Sequence, residues 1–397
     1  MIFLGPLYPL DKEDEIRNNL IVGGSTAPNV FQWNLLKGLR YHLGDNLKVF
    51  NVLPIGIWPI EYKKLFFKDS EWSCMGINGQ EIGSINLPFL KQLERSVRVK
   101  KILKNIIKQD REIIIYSAYM PFLKAIYRLP RNVKITVIIT DLPEFYDLGN
   151  VSKVRKVLRN IQNKMIYRYL NRVDRFVVLT KQMCEPLRIG NRPWVCVEGI
   201  CDETVEDSAI ETGTKKVILY SGTLHYQYGI KNLLHAFKQI EDENIELWIC
   251  GCGEAEEEIR QLEKENIGIK YFGFCSQSEV AKLRARAHIL VNPRTNEGEY
   301  TKFSFPSKTM EYMISGKPVV MYKLDGIPDE YDEYLFYVNN EDHVQGLKQA
   351  IDNVLHSYED ALLRAKDAKE FVLNNKNAII QSGKILLMCN VNIRNEK

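Results

Sequence analysis

Hydrophobic and polar positions follow two alternating periods along this chain. Short β-branched runs such as IFL at 2–4, KITVIIT at 134–140 and KVILYSG at 216–222 are separated by longer stretches with apolar residues three and four apart. The first pattern suits strands covered on both faces of a parallel sheet, the second helices packed along one side. In the first half it predicts strands at Ile2–Leu4, Leu47–Leu53, Ile113–Tyr116, Lys134–Thr140, Arg175–Leu179 and Val195–Glu198, with helices at Val30–Leu43, Leu90–Lys108 and Ser152–Asn171. A polar stretch, Gly199 to Gly213, interrupts the pattern and reads as a linker. The alternation then restarts with KVILYSG, IELWICGCG, IKYFGF, HILVNP and PVVMYKL as strands. Helices are predicted at Gly229–Glu241, Glu254–Glu265 and Ser278–Ala287, within TKFSFPSKTMEYMISG, and from about Asp342 to Met388. The order predicts an α/β protein of two successive Rossmann-like units.

Length agrees, since 397 residues exceed what one core usually holds. A composition of 45% hydrophobic and 26% charged residues is that of a globular protein. No apolar run is long enough to span a bilayer. The start, MIFLGPLYPLDKEDE, lacks a basic leading region and reads as a buried strand rather than a signal peptide. Eight cysteines are scattered, and Cys250 and Cys252 form the one close pair with nothing to complete a metal site, so a reduced, cytosolic chain is expected. The net charge of +4 hides an asymmetry. Residues 1–200 hold 31 Lys and Arg against 18 Asp and Glu; the rest hold 23 against 32. Each half is therefore expected to meet a different partner.

Candidate chemistry concentrates in FPSKTMEYMISGKPVV. Pro306 suits a first helical turn, and Gly316 with Pro318 forms a stop signal. Ser304, Ser307, Lys308, Glu311 and Ser315 recur at steps of three and four, opposite Met310, Met313 and Ile314. Such a face is either plainly solvated or an anion site, because a helix start offers free N–H groups and positive dipole. Spacing alone leaves both open.

The surrounding segments carry a resemblance. SGTLHYQYGIKNLLHAF, ICGCGEAEEEI, IKYFGFCSQSEVAKL, HILVNP and FPSKTMEYMISGKPVV, in that order over about residues 217–355, are similar to the donor domain of family 4 retaining glycosyltransferases. The resemblance implies the GT-B architecture, with two Rossmann-like domains facing each other across a cleft. Residues 1–198 would bind the acceptor and 199–377 the nucleotide-sugar, a UDP-sugar foremost. The closing helix, about 378–397, would pack back on the first domain. It further implies that Glu311 holds the ribose and that Ser304 and the Phe305–Pro306–Ser307–Lys308 turn meet the phosphates and sugar. Gly222 and Thr223 would form the first donor loop, and Phe274 would pack the base or serve as a core residue. Gly23 and Gly24 in GGSTAPN would line the acceptor or interdomain loop.

Departures matter. Such enzymes often carry an earlier glutamate where this chain has Phe303, and cations where it has Thr223 and Tyr228. Arg294 and Lys302 are the nearest substitutes in sequence, and a solvated loop charge remains open for each. No aspartates are spaced Asp-x-Asp, so no metal and no cofactor are expected, and lysine, arginine and amides would neutralise the diphosphate.

For catalysis the resemblance implies same-face attack with the leaving phosphate as base, assisted by Lys308, a metal-independent hexosyl transfer. Tyr119 and Asp141, at strand ends of the first half, are candidates to orient the acceptor. KVRKVLRNIQNKMIYRYLNRVDR, from Lys153 to Arg175, has eight basic residues and one acidic, with Val154, Val157, Leu158, Ile161, Met165 and Tyr169 as its apolar face. With KQLERSVRVKKILKNIIKQDR it fits an anionic membrane surface and a lipid-diphosphate-linked or oligosaccharide acceptor of polysaccharide, capsule or exopolysaccharide synthesis. Nucleic acid lacks a matching motif. A cytoplasmic, peripheral membrane location follows. A nucleotide-sugar 2-epimerase and a non-catalytic nucleotide-sugar-binding scaffold are the alternatives.

Overall fold

The computed structural model describes residues 1–21, 27–145, 153–201, 215–265, 267–339 and 342–394, which divide into two compact units. Unit 1 comprises residues 1–200 and 378–397; unit 2 comprises residues 201–377.

Unit 1 starts with β1 (Ile2–Pro6), α1 (Glu13–Asn19), α2 (Ala27–Leu43), β2 (Lys48–Val52), β3 (Ser70–Cys74) and β4 (Ile77–Glu81). It continues through α3 (Leu90–Ile106), β5 (Glu112–Tyr116), α4 (Met120–Ile126), β6 (Lys134–Ile139), α5 (Lys153–Leu170), β7 (Arg175–Val178) and β8 (Trp194–Cys196). The sheet order is β3-β4-β2-β1-β5-β6-β7-β8, parallel except for the β3–β4 hairpin. Ile113, Ile115, Val137 and Val177 are fully buried, as continuous apolar runs in a covered parallel sheet should be.

That hairpin escapes the periodicity because SEWSC and INGQE are polar edge segments. Its signal is the two-residue turn, where Met75 (φ +51°) and Gly76 (φ +71°) both take left-handed backbone. Helices α1 and α4 also go unforeseen, each being only seven residues long.

Unit 2 contains β9 (Lys216–Ser221), α6 (Ile230–Phe237), β10 (Ile245–Cys250), α7 (Glu256–Lys264), β11 (Ile269–Tyr271), α8 (Gln277–Arg286) and β12 (Ile289–Asn292). Then come α9 (Ser307–Met313), β13 (Val319–Met321), β14 (Phe336–Tyr337), α10 (His343–His356) and α11 (Tyr358–Asn375). Its parallel sheet runs β11-β10-β9-β12-β13-β14 around a core that includes Leu219, Leu247, Leu290, Val320 and Tyr312. The last helix, α12 (Ala378–Met388), lies in unit 1, where the carbonyl of its Ile379 contacts Nε2 of His42 on α2 (3.0 Å). Gly38 makes that packing close, because a Cβ there would strike the Ala378 carbonyl.

The strand orders locate the sites. In unit 2 the chain leaves β9 one way to β10 and later returns to its other side as β12. Ligands of open α/β sheets bind outside the carboxyl ends of strands at such a reversal. In unit 1 the reversal lies between β1 and β5.

Among the described residues no helix is long and apolar enough to cross a membrane. The apolar face expected on α5 is not the side that packs inward. Ile166 and Leu170 are buried, whereas Val157, Leu158, Ile161 and Met165 are exposed. Spacing explains it: Ile166 and Leu170 are four apart on one side, and Val157, Ile161 and Met165 form the neighbouring stripe, turned about 100° from it.

Candidate active site

The reversal point of unit 2 is built from glycine. Gly222, just beyond β9, donates its amide to the Cys250 carbonyl (2.8 Å). Gly251, just beyond β10 with φ +140°, has no room for a Cβ, which would strike the Gly222 carbonyl. Gly253 presses on the Leu224 backbone in the same way. Two strand-end loops thus touch backbone to backbone, and the short glycine motif that is weak as a sequence signal is what permits it.

Helix α9 is held there by a buried tyrosine. The Tyr312 hydroxyl accepts from the Ser221 amide (3.1 Å) and lies 3.2 Å from Ser221 Oγ, and burial pushes its pKa up to about 12. This anchor delivers Lys308 to the β9 end, with Nζ 5.4 Å over the Tyr220 ring. A Cβ on Gly222 would collide with that ammonium. Burial lowers the Lys308 pKa, the nearby Arg294 charge lowers it further, and Glu311 and Cys250 oppose the shift.

Arg294 follows β12 and faces the same point. Its guanidinium lies 4.8 Å over the Tyr300 ring and 5.7 Å over Tyr228, and Nη2 donates to Ser304 Oγ (3.1 Å). Its Nε is buried without a hydrogen-bond partner. Two cations therefore converge at the reversal, and the Arg294 charge weakens the hold of Lys308 on its proton. An anion would relieve that arrangement.

Glu311 points elsewhere on the helix. It is exposed and pairs with Arg284 of α8 (3.6 Å), whose Nη1 also donates to the Glu311 carbonyl (3.1 Å). Arg284 is invisible to sequence reasoning, being 27 positions away on another helix with no spacing to flag it.

Several expected positions are corrected. The helix begins at Ser307 with buried Pro306 as its N-cap, not inside the first turn. Ser304 precedes the helix in extended backbone, so it meets the site by holding Arg294 rather than from the helical face. The Phe305 ring belongs to the core, 5.3 Å from Tyr331, because the chain turns inward there; only its backbone is available. Phe274 is 72% exposed on the loop after β11, which removes the core alternative. Ser307 and Thr223 are exposed, and the Thr223 carbonyl accepts from the Tyr220 hydroxyl (2.8 Å). Lys302 is exposed on the 3-10 turn Glu299–Phe303, while Arg294 is the cation whose charge acts on Lys308.

In unit 1, Tyr119 opens α4 beyond β5, and its hydroxyl accepts from Nη1 of buried Arg95 (2.8 Å). Asp141 is exposed just beyond β6. Gly23 and Gly24 lie outside the described residues. Among the described residues no group of three or more His, Cys, Asp or Glu could hold a metal ion.

Comparison with known proteins agrees with this fold. Across 98% of both chains the fold matches sucrose-phosphate synthase from Thermosynechococcus elongatus (TM-score 0.65, 14% identity). It also matches the Anabaena protein HepE solved with UDP (TM-score 0.63, 13% identity, 98% of this chain and 99% of that one). The chain has the GT-B fold, an α/β pair of Rossmann-like domains. Residues 215–357 match the family model described as Glycosyl transferases group 1. An uncharacterised glycosyltransferase of Methanocaldococcus jannaschii is 27% identical over 170 residues, 41% of this chain and 39% of that protein. Unit 2 is thus similar to the domain that the glycosyl transferases group 1 model describes, which is consistent with family 4.

Proposed function

We propose that the protein is a retaining, metal-independent glycosyltransferase that moves a hexosyl group from a nucleotide-sugar to a lipid-linked or oligosaccharide acceptor. The observation that carries this is the convergence of Lys308 and Arg294 on glycine-lined backbone at the β9/β12 reversal. A diphosphate supplies the charge those two cations lack, and the exposed Glu311 carboxylate, oriented by Arg284, can accept hydrogen bonds from ribose hydroxyls. UDP is the favoured carrier, because HepE is described in complex with UDP and with UDP and glucose.

In the proposed reaction the bond from the anomeric carbon to the leaving phosphate oxygen breaks. The acceptor oxygen bonds that carbon on the same face, and its proton passes to the departing phosphate. Lys308 stabilises the charge gathering on that phosphate, and its half-buried position strengthens the interaction. Tyr119 and Asp141 orient the acceptor from unit 1. Arg95 donates to the Tyr119 phenol oxygen and so fixes its orientation, which suits Tyr119 to position the acceptor. The product chemistry suits assembly of cell-surface or extracellular polysaccharide at the inner face of the cell membrane.

A thermal-shift panel of uridine, guanosine, adenosine and thymidine diphosphates and their sugars tests the donor site. Ligand at a hundred times its Kd stabilises a fold by about 2.7 kcal/mol, a measurable rise in Tm. If no nucleotide shifts the melt at saturating concentration, the proposal fails.

A further inference from the structure

Two cations of unit 1 are buried with only neutral hydrogen-bond partners among the described residues. Lys91 and Arg95, one turn apart on α3, are 5% and 3% exposed. Arg95 donates from Nε to Ser84 Oγ (3.1 Å), from Nη2 to the Leu53 carbonyl (3.0 Å) and from Nη1 to the Tyr119 hydroxyl (2.8 Å). Lys91 donates to the carbonyls of Ile55 and Gly56. Acids of the adjoining segments are engaged elsewhere: Glu81 with Lys12 (3.0 Å), Glu94 with Arg98 (3.0 Å), and exposed Glu61 with the Ile57 amide (2.7 Å). Burying charge without a bonded counter-charge is costly, and an ionised partner would lower that cost.

The Tyr119 hydroxyl is where this charge comes within reach of a ligand. Tyr119 is half-buried and opens α4 just beyond β5, at the β1/β5 reversal. Its oxygen accepts a hydrogen from Arg95, so its own O–H is left to donate. Among the described residues that O–H has no acceptor. A group that meets it must offer a lone pair, and positive charge behind the phenol favours one that is ionised. The backbone leading into both elements is strained. Ser117 (φ +67°) and Phe89 (φ +59°), two residues before Tyr119 and Lys91, take left-handed conformations without being glycine.

We propose that Tyr119 donates to an oxyanion carried by the acceptor, a phosphate or a carboxylate, with Arg95 and Lys91 supplying positive charge behind it. The two cations act without touching the ligand. Arg95 polarises the phenol through its hydrogen bond, and burial lets the Lys91 ammonium act over a longer distance than it would in water. A neutral acceptor group at Tyr119 would gain only an ordinary hydrogen bond. This deepens the proposed function by naming a charged group that the acceptor bears, and it rests on that reading.

Sulfate is the probe, because its charge is constant at neutral and alkaline pH. Calorimetric titration of sulfate into the full chain saturated with UDP, which fills the proposed donor site, should show a saturable site. Tyr119→Phe should weaken it roughly tenfold and Arg95→Met at least as much, with Arg95→Lys restoring part of the loss. Affinity should also decline as pH rises through about 8, where Lys91 gives up its proton, a loss that Arg95 favours and Glu61 opposes. Lys91→Met should flatten that profile. Absence of saturable binding overturns the proposal, as does a flat wild-type profile. A hydroxyl that is merely structural would lower the melt in Tyr119→Phe and leave sulfate affinity unchanged, which also overturns it. Geranyl diphosphate and glucuronate are the competitors. Displacement of sulfate by the first supports a lipid-type diphosphate, by the second an acidic sugar, and by neither overturns the assignment to the acceptor. Lys308→Ala should keep the sulfate site. Failure of UDP to bind would therefore strike the donor proposal, while a sulfate site that Tyr119→Phe removes would stand.

Discussion

The ammonium of Lys308 occupies the space that Gly222 leaves by lacking a side chain. The two residues are 86 positions apart, yet a methyl group on one would displace the charged end of the other. The proposed donor site is thus defined as much by an absent atom as by a cation.

Gly222→Ala should fold, because the atom it strikes is the end of a flexible side chain. Nucleotide affinity should fall about tenfold as Lys308 is displaced, equivalent to about 1.4 kcal/mol. Gly251→Ala should behave differently, since it strikes backbone at φ +140° and should cost about 2–3 kcal/mol of stability. Melting curves and nucleotide titrations of both variants separate the effects, and equal stability would contradict the backbone contact.

Glu311 and Lys308 should fail in different ways. Glu311→Gln should weaken donor binding and leave kcat near wild type, because a ribose contact is equal in ground and transition states. Lys308→Ala should mainly lower kcat, by ~10²–10³. Steady-state kinetics on folded variants decide this, and wild-type kinetics in both would place the site elsewhere. Activity should also survive chelation by EDTA, given the two-cation arrangement; loss restored by magnesium would count against it.

Lys308 also predicts a pH dependence of binding. Its lowered pKa means that the ammonium is lost at lower pH than for an exposed lysine. A bound diphosphate favours the charged form, so nucleotide affinity should decline as pH rises through the alkaline range, and binding there should take up protons. Calorimetry in buffers of different ionisation enthalpy measures that uptake, and Lys308→Met should abolish it.

A second lysine should set the alkaline stability of unit 1. Lys91 is buried, donates to the carbonyls of Ile55 (2.8 Å) and Gly56 (3.2 Å), and has its pKa pushed down from 10.5 to about 8, chiefly by burial and then by Arg95. Between about 8 and 10.5 the unfolded chain holds a proton that the folded chain has released. The Lys91 contribution to stability therefore rises with pH across that window. Denaturation at pH 7 and pH 10 should show this in wild type, and Lys91→Met should flatten it.

Tyr312→Phe should cost about 1–3 kcal/mol, because the buried Ser221 amide and hydroxyl both lose their partner. A fall in Tm without a change in Lys308-dependent kinetics would show that the hydroxyl anchors α9 and does no more.

Local pattern was enough for the buried parallel strands and the longer helices. Runs such as KITVII and IELWIC are buried on both faces, so their apolar continuity marks them as parallel strands without knowledge of their neighbours. The same holds for the helix bearing Lys308 and Glu311, whose face is a matter of spacing. SEWSC and INGQE carry no such pattern, because an edge hairpin needs no second apolar face.

Tertiary structure decided what local spacing could not reach. The exposure of Val157, Ile161 and Met165 depends on which side of α5 packs, with Ile166 and Leu170 turned inward, a matter of contact between separate elements. Arg284 holds Glu311 from another helix, and Arg294 becomes a site residue because Ser304, Tyr228 and Tyr300 aim it inward. The sequence by itself determined which residues could carry charge, turn the chain or fill a strand, since those properties belong to single side chains and their near neighbours. Which charges share one pocket, and which apolar faces stay uncovered, arises only when strands distant in the chain become adjacent in a sheet.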